Sequence, residues 1–206
     1  MLHYPAKSLS AKQSYKFLSG SIIPRPIAWV TTLNLELSVV NAAPFSFFNA
    51  AASDIPLVTL SILRRNGQIK DTAKNIIETK ELVIHLVNDD VIESMNQTAA
   101  SLTSDQSEIR INEIETIASK SVVVPGIKKA PIRMEAQLHQ YVPIKNHEGQ
   151  IITDLFVVEI TDFYFDQDIF DEENEYILPE VFNPIARLAG NTYAHIEGLF
   201  DLKRPQ

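Results

Sequence analysis

The chain has 206 residues, of which 45% are hydrophobic and 21% charged, and this composition is typical of a globular protein and excludes extended disorder. Eighteen lysines and arginines stand against 26 acids, and the net charge of -8 disfavours nucleic acid and anionic membranes as partners. With no cysteine, disulfides, thiolate nucleophiles and cysteine-based metal sites are excluded.

The length suits one hydrophobic core, so residues 1–206 are predicted to form a single domain. The opening MLHYPAKSLSAKQ lacks the apolar segment of a signal peptide, and no apolar run reaches about 18 residues. We therefore expect a cytoplasmic protein.

The first predicted elements are a helix and a strand. SLSAKQSYKFLSG indicates a short helix that is capped by Ser8 or Ser10 and ends at Gly20. PRPIAWVTTL follows as a strand, and Pro24 and Pro26 mark a sheet edge or the start of that strand.

A hairpin and a second helix follow. IPLVTLSILRR, the pair Asn66 and Gly67, and QIK predict a β-hairpin, because Asn-Gly favours the positive φ angles of a type I′ turn. DTAKNIIETK has apolar residues at helical spacing, with Asp71 or Thr72 placed to cap the helix. ELVIHLV then reads as a strand.

The second half is dominated by strands. DDVIESMNQTAAS resembles a surface helix, whereas APIRMEAQLHQYVPI and IITDLFVVEITDFYF predict two long strands around the turn KNHEGQ. The C-terminal part is irregular. Because strands outnumber helices and do not alternate with them, the sequence predicts a mainly β, antiparallel, barrel-like fold with a few packed helices.

Several standard sites are unsupported. The six glycines are too widely spaced for a dinucleotide fingerprint, a phosphate-binding P-loop or a nucleophile elbow. The five histidines form no metal-ligand pair, so each is interpreted as structural or solvated, including the lone His195. The acidic run of residues 166–175 lacks the glycine of a calcium loop and is interpreted as a solvated loop.

Two remaining segments point to a ligand. KDTAKNI places Lys70 before the start of a helix, whose unpaired N–H groups and dipole favour an anion. NAAPFSFFNA combines phenylalanines with Ser46 and Asn49, which suits a flat ring with a polar edge. Taken alone, the first segment is more simply a capped helix, and the second a buried strand end. Together they indicate a ligand with a ring system and a phosphate tail.

The succession RPIAWVTT, NAAPFSFFNA, KDTAKNI and RLAGNTY resembles the flavin reductase-like, FMN-binding split-barrel family over about residues 24–204. This resemblance implies a Greek-key split barrel, a homodimer and FMN near the subunit interface. It also implies NAD(P)H-linked flavin chemistry in the cytoplasm.

The resemblance also implies which residues hold the cofactor. Strand residues Trp29, Thr31 and Thr32 match positions beside the flavin. Ring and ribityl contacts fall on Ser46, Phe47, Phe48 and Asn49, and phosphate contacts on Lys70 and Thr72. Arg25 and Arg187 match family positions as well. No catalytic acid or base and no metal ligand is assigned, because flavin chemistry needs no protein nucleophile.

Two positions depart from the family pattern. Leu37 and Ser38 stand where a glycine is common before the NxAPF segment, and Ala189 replaces the second glycine of RLGG. The first departure predicts a reshaped hairpin and the second a tighter backbone near the ligand. Three functions stay open: an NAD(P)H:flavin oxidoreductase that supplies a partner oxygenase, an FMN-binding electron carrier, and a flavin-free structural relative.

Overall fold

A computed structural model gives the structure of residues 1–205. Over this range the five α-helices are α1 Ala11–Ser21, α2 Asp71–Thr79, α3 Ile92–Gln97, α4 Glu108–Ile111 and α5 Pro179–Phe182. Two short 3-10 turns lie at Ala6–Ser8 and Gln167–Ile169. The strands are β1 Ala28–Asn34, β2 Val39–Phe45, β3 Phe48–Ala52, β4 Leu57–Leu63, β5 Glu81–Leu86, β6 Thr116–Ile117, β7 Gly126–Ile127, β8 Ile132–Lys145, β9 Ile151–Phe165, β10 Phe170–Asp171, β11 Tyr176–Ile177, β12 Ile185–Arg187 and β13 Tyr193–His195.

Seven of these strands form one antiparallel sheet in the order β2-β1-β5-β8-β9-β4-β3. The β1–β2 hairpin pairs with β5, and not with the β3–β4 hairpin that follows it in the chain. The two outer strands, β2 and β3, are nevertheless joined by only two residues. The Ser61 N–H donates to the carbonyl of Phe47 in that junction (2.9 Å), so the chain bridges the two edges. The predicted antiparallel Greek-key split barrel is confirmed.

The barrel interior and the outer face of β1 hold separate apolar clusters. Val30, Leu60 and Phe156 belong to the interior cluster, and α2 closes one end of the barrel with the fully buried Ala73 and Ile76. Full burial of a large apolar side chain such as Ile76 contributes about 1.5 to 3 kcal/mol. The second cluster lies under α3 and α4, so both faces of β1 are covered.

The first helix agrees with the sequence at its start and differs at its end. Ser10 caps α1 in a capping box with Gln13, as one of the two predicted caps. Gly20 does not end the helix, which continues to Ser21. The Arg25 guanidinium provides the reason, because it donates to the carbonyls of Ser19 (2.5 Å) and Ile22 (2.7 Å) at the C-terminal end.

The predicted Asn66-Gly67 turn forms, but the hairpin is truncated. Both residues have positive φ (53° and 75°), and Arg65 and Gln68 pair across the turn. The predicted strand QIK is wrong, since the chain enters α2 at Asp71 and leaves no length for a strand. A bidentate contact of Arg64 with the buried Asp154 (2.9 and 2.8 Å) anchors the base of this turn.

Two further predictions are refined. The helix predicted from DDVIESMNQTAAS is shorter, and it is not a surface helix throughout, because Met95 is buried in the second cluster. The reshaped β1–β2 hairpin stays a prediction, to which the structure adds the conformation of the turn. Ser38 adopts a positive φ of 54°, and the Asn34 side chain accepts from the Leu37 N–H (3.1 Å), which fixes the turn without glycine. No helix within residues 1–205 has the length and apolar character needed to cross a membrane.

Candidate cofactor site

A cleft of about 640 Å³ opens beside the N-terminal end of α2. The cleft lies between the end of β2, the segment that leads into α2, and the segment after α3. Its lining consists of Asn41, Ala43, Pro44, Phe45, Arg65, Asn66, Gln68, Ile69, Lys70, Asp71, Thr72, Thr98, Ala99, Ala100, Ser101, Leu102 and Glu108. The volume is within the roughly 300 to 1,000 Å³ typical of small-molecule sites.

The start of α2 is not capped by a side chain. Lys70 occupies the N-cap position and makes no capping hydrogen bond. The prediction that Asp71 or Thr72 caps this helix is wrong, because both residues lie inside its first turn. Since the first N–H groups of a helix have no intrahelical acceptor and carry positive partial charge, this end of the cleft favours an anion.

Two cations border the same end of the cleft. The Lys70 ammonium lies 5.5 Å from the centre of the Phe45 ring, and Arg65 lies on the turn that precedes it. Desolvation lowers the pKa of Lys70, and the charge of Arg65 lowers it further. Neither side chain enters an ion pair with another residue of the range 1–205. Their charges are therefore available to a ligand.

A chain of buried polar side chains forms the floor of this end. The Thr72 hydroxyl donates to Asn41 Oδ1 (2.8 Å), and Thr32 contacts the same oxygen (3.4 Å). Asn75 Nδ2 donates in turn to the Thr32 hydroxyl (3.1 Å). Thr32 is thus fully buried behind the cleft, and Thr72 lines it with only 2% of its surface exposed.

Glu108 completes the floor and was not predicted from the sequence. It lies on α4, is 5% exposed, and accepts from Asn41 Nδ2 (3.2 and 3.0 Å) and from the Ala42 N–H (3.1 Å). Burial raises the pKa of Glu108, the hydrogen bonds from Ala42 and Asn41 oppose this shift, and the charge of Asp71 adds to it. A glutamate in a short segment of mixed polarity gives no local signal of such burial.

A smaller hollow of about 200 Å³ continues from the cleft, because the two share Pro44, Phe45 and Ala99. Ser46 and Tyr15 line this hollow, together with Ile27, Met95, Arg187 and Tyr193. The Arg187 guanidinium stacks on the Tyr193 ring, 4.4 Å from its centre. The hollow is therefore framed by aromatic and apolar groups together with the Arg187 cation, whereas the end beside α2 is lined mainly by polar and charged groups.

Arg25 lies behind the hollow. Its guanidinium donates to the carbonyl of Leu188 (2.8 Å), besides the two α1 carbonyls, and to the Ser46 hydroxyl oxygen (3.4 Å). Arg25 is only 6% exposed. Arg25 thus links three parts of the chain: the end of α1, the segment that follows β12, and Ser46. It contacts the hollow only indirectly, through Ser46.

The structure does not bring Trp29 or Thr31 into the cleft. Both are fully buried on the face of β1 that points away from the barrel interior. Trp29 Nε1 donates to the Thr98 hydroxyl (2.9 Å), and the Thr31 hydroxyl donates to the carbonyl of Pro125 (2.8 Å). Trp29 nevertheless contacts the cleft wall indirectly, because its partner Thr98 lines the cleft.

The three residues after Ser46 point in different directions. Phe47 is partly buried and lies near Tyr15, with ring centres 6.4 Å apart. Phe48 packs against the interior cluster. Asn49 is exposed on the edge strand β3, where its side chain accepts from the Ala50 N–H (2.9 Å). None of these three lines the cleft or the hollow of this chain.

The histidines show two kinds of environment. His85 is fully buried, with Nδ1 2.8 Å from the carbonyl of Trp29 and Nε2 accepting from the Ile127 N–H (2.8 Å). Desolvation lowers the pKa of His85 to about 3. His195 is exposed, 3.7 Å from Asp89. Within residues 1–205 no cluster of histidines and acids has the arrangement of a metal site.

Comparison with known proteins shows the family to which this fold belongs. The family model that describes the flavin reductase like domain matches residues 19–184 of the sequence. The Bacillus subtilis protein YwrF is 45% identical over 205 residues, and the alignment covers 100% of both chains.

Two solved structures resemble the chain over nearly its whole length. Component B of nitrilotriacetate monooxygenase from Bacillus cereus is 38% identical with a TM-score of 0.94, and 98% of each chain is covered. The 2-nitrobenzoate 2-nitroreductase of Pseudomonas fluorescens is 31% identical with a TM-score of 0.88, and 99% of this chain and 96% of that chain are covered. With the family model spanning most of the sequence, the chain belongs to the flavin reductase-like family of split-barrel flavoproteins.

Proposed function

We propose that the protein is an FMN-binding oxidoreductase that takes electrons from NAD(P)H and supplies them to an acceptor or to a partner oxygenase. One observation carries the proposal. Lys70, Arg65 and the uncapped start of α2 lie together at one end of the cleft. These groups offer two cations and several free N–H donors to one phosphate. The hollow beyond Phe45 continues the same groove and suits a flat ring.

The donor set fits FMN from end to end. Lys70, Arg65 and the N–H groups of the first turn of α2 would hold the phosphate. Pro44 and Phe45 would flank the ring system where the cleft and the hollow meet. When bound, FMN supplies the redox chemistry, accepting electrons from the nicotinamide and passing them on.

The protein's part is to bind and orient. Because Ser46 Oγ accepts from Arg25, its own proton remains available to a polar ring edge. Arg187, held against Tyr193, adds a positive charge to the same hollow and favours negative charge there. Of the residues described, those lining the hollow include no aspartate, glutamate or histidine, so the proposal assigns no acid or base. Ile27, Met95 and Ala99 add apolar surface to the walls of the hollow.

The comparisons support the reductase over a mere flavin-binding protein. The relative from Bacillus cereus is component B of a monooxygenase, and that from Pseudomonas fluorescens is a nitroreductase. Both are above 30% identity over nearly the full chain, and both are named as proteins of redox systems.

We propose a homodimer on separate grounds. Tyr15, Leu18 and Ile22 of the α1 region are 51%, 53% and 59% exposed. Such a row of large apolar residues is unfavourable in water. Tyr15 also lines the hollow, so a second copy packed on α1 would cover both the row and the ring end of the site. A monomer in light scattering at micromolar concentration, with FMN bound, would contradict the dimer.

The test of the function is spectroscopic. The purified protein is loaded with FMN under anaerobic conditions, and NADH or NADPH is added while the flavin absorbance is recorded. Rapid bleaching with turnover on an added acceptor supports the reductase. Slow bleaching with FMN retained identifies an electron carrier, and failure to bind FMN in preference to riboflavin rejects the proposed site.

A further inference from the structure

Glu108 is a buried carboxylate at the end of the cleft that we assign to the phosphate. Three contacts from Asn41 and Ala42 satisfy it, but no ion pair with a lysine or arginine in residues 1–205 includes it. A negative charge in this position repels an anionic ligand, and burial strengthens the repulsion because the local dielectric is low. Besides Asp71 at the start of α2, the site therefore contains a buried carboxylate that opposes the ligand for which its cations and N–H groups are suited.

The ionised carboxylate also fixes the direction of the hydrogen bonds beside it. A carboxylate accepts only, so Asn41 must turn its Nδ2 group toward Glu108. Its Oδ1 atom then faces Thr72, whose hydroxyl donates to it at 2.8 Å. The single proton of Thr72 is thus committed to Asn41. Toward the cleft this hydroxyl presents only lone pairs, which a phosphate dianion cannot use.

We infer that Glu108 is a positioning residue that takes up a proton when the anionic end of the cofactor binds, and that the Asn41 amide turns over with it. This inference rests on the proposed FMN site. One proton passes from solvent to the Glu108 carboxylate, whose O–H then donates to Asn41 Oδ1. The rotated Asn41 NH₂ donates to Thr72 Oγ, and the Thr72 O–H turns to donate a hydrogen bond to the anion. The 3.4 Å contact of the Thr32 hydroxyl with Asn41 Oδ1 is given up in this exchange. The Ala42 N–H keeps its acceptor on the second Glu108 oxygen.

The environment of Glu108 supports this exchange. Burial raises the pKa of Glu108, which makes the protonated form more accessible. Asp71 of α2 contributes a further negative charge that favours protonation. Lys70 and Arg65 line the same cleft with positive charges. Of these neighbours, Lys70 also has a lowered pKa, caused by its burial and by the charge of Arg65, so an experiment must separate the two residues.

The decisive variant is Glu108→Gln. A glutamine amide keeps the shape of the side chain, accepts from Ala42 through Oε1 and donates to Asn41 Oδ1 through Nε2, which imitates the protonated state permanently. Dissociation constants for FMN and riboflavin are measured by flavin fluorescence from pH 6.5 to 8.5. Glu93→Gln, an exposed change on α3, is the matched control for charge.

The expected result is a gain of affinity, which loss of a merely structural residue does not produce. At pH 8.5 Glu108→Gln binds FMN about tenfold or more tightly than the native protein, while riboflavin affinity is unchanged in both. As pH rises, FMN affinity falls more steeply in the native protein than in the variant. The difference between the two amounts to as much as about tenfold in affinity per pH unit. Equal pH slopes and equal affinities overturn the inference. A native protein without preference for FMN over riboflavin at any pH overturns the proposed site as well.

A second measurement does not depend on the folding of Glu108→Gln. Proton uptake on FMN binding is obtained by calorimetry at pH 8 in buffers of different ionisation enthalpy, where the free phosphate is already dianionic. Lys70→Arg keeps the positive charge but cannot titrate in this range. Uptake that persists in Lys70→Arg supports Glu108 as the acceptor. No uptake by the native protein, or its complete loss in Lys70→Arg, overturns the inference.

Discussion

The two polar clusters on either side of β1 contain similar residue types but differ in what their groups contact. On the side of α2, Thr32 and Asn41 join Thr72 at a floor that is open to a cleft, with Lys70 and its charge at the rim. On the opposite side, Trp29 and His85 lie in a closed interior. One cluster retains groups that a ligand can satisfy, and the other does not.

Every polar atom of the closed cluster has a protein partner. His85 uses both ring nitrogens, on the Trp29 carbonyl and the Ile127 N–H, and Trp29 uses its indole N–H on Thr98. Because Nε2 accepts from a backbone N–H, Nδ1 carries the proton and the ring is neutral. The comparison teaches that the same strand serves binding on one side and stability on the other, and substitutions on the two sides should separate these properties.

The largest effect on binding is expected for Lys70→Ala. Removal of a cation that borders the phosphate end should raise the FMN dissociation constant about tenfold to a hundredfold, since a charge-assisted contact contributes roughly 1.5 to 3 kcal/mol. Riboflavin affinity should not change, because riboflavin has no phosphate. Flavin fluorescence titration measures both constants.

Lys74→Ala is the matched control for Lys70→Ala. Lys74 lies on the same helix, and its exposed side chain pairs with Glu78 at 3.9 Å. Its removal changes net charge equally but should leave both flavin affinities within about twofold, because exposed charges are screened. Equal losses of FMN affinity in the two variants would show that only overall charge matters and that the phosphate lies elsewhere.

The closed side of β1 should respond to pH and not to flavin. His85 has a folded-state pKa of about 3, below the unfolded value of about 6.5. Its neutral form therefore stabilises the fold fully above about pH 6.5, and this contribution is lost as pH falls toward 3. Between pH 7.5 and 5 the native protein should lose about 2 kcal/mol more unfolding free energy than His85→Gln, or roughly thirtyfold in the unfolding constant.

Urea unfolding at the two pH values tests the His85 prediction. His195→Gln is the comparison variant, because His195 is exposed beside Asp89. It should keep the native pH dependence to within experimental error of the urea method. If His85→Gln retains the full native loss of stability at pH 5, His85 is not the group that charges on acid unfolding.

The sequence predicted the barrel, its long strands and the helix at residues 71–79, since these depend on local periodicity and turn residues. It also led to Lys70 and Thr72, which lie together at the rim and floor of the cleft. The sequence could not show that Thr32 lies behind the cleft while Trp29 lies on the opposite face of β1, because the partner of each side chain comes from a distant segment. Glu108 was missed for the same reason, as its contact with Asn41 spans 67 residues of sequence.

A smaller effect on binding is expected for Thr72→Val. Valine preserves the shape of threonine and removes the hydroxyl that contacts Asn41, so the floor loses one hydrogen bond and the phosphate loses the donor that Thr72 turns toward it in the FMN-bound arrangement. We expect FMN affinity to fall about tenfold and riboflavin affinity to stay constant, with about 1 kcal/mol lost in unfolding free energy. Thr79→Val, at the far end of α2, controls for the loss of a hydroxyl. Normal FMN binding by Thr72→Val would assign this residue to the helix alone.

The smallest effect on binding is expected for Trp29→Phe. The indole N–H is lost from Thr98, but the Thr98 hydroxyl keeps its own contact with the carbonyl of Met95 (2.7 Å), so the cleft wall should stay in place. Unfolding free energy should fall by about 1 to 3 kcal/mol for the lost hydrogen bond and ring volume. Both flavins should bind within about threefold of the native affinity. A much larger loss of flavin affinity at unchanged stability would place Trp29 beside the cofactor, as the family resemblance implies, and would join the two sides of β1 into one functional unit.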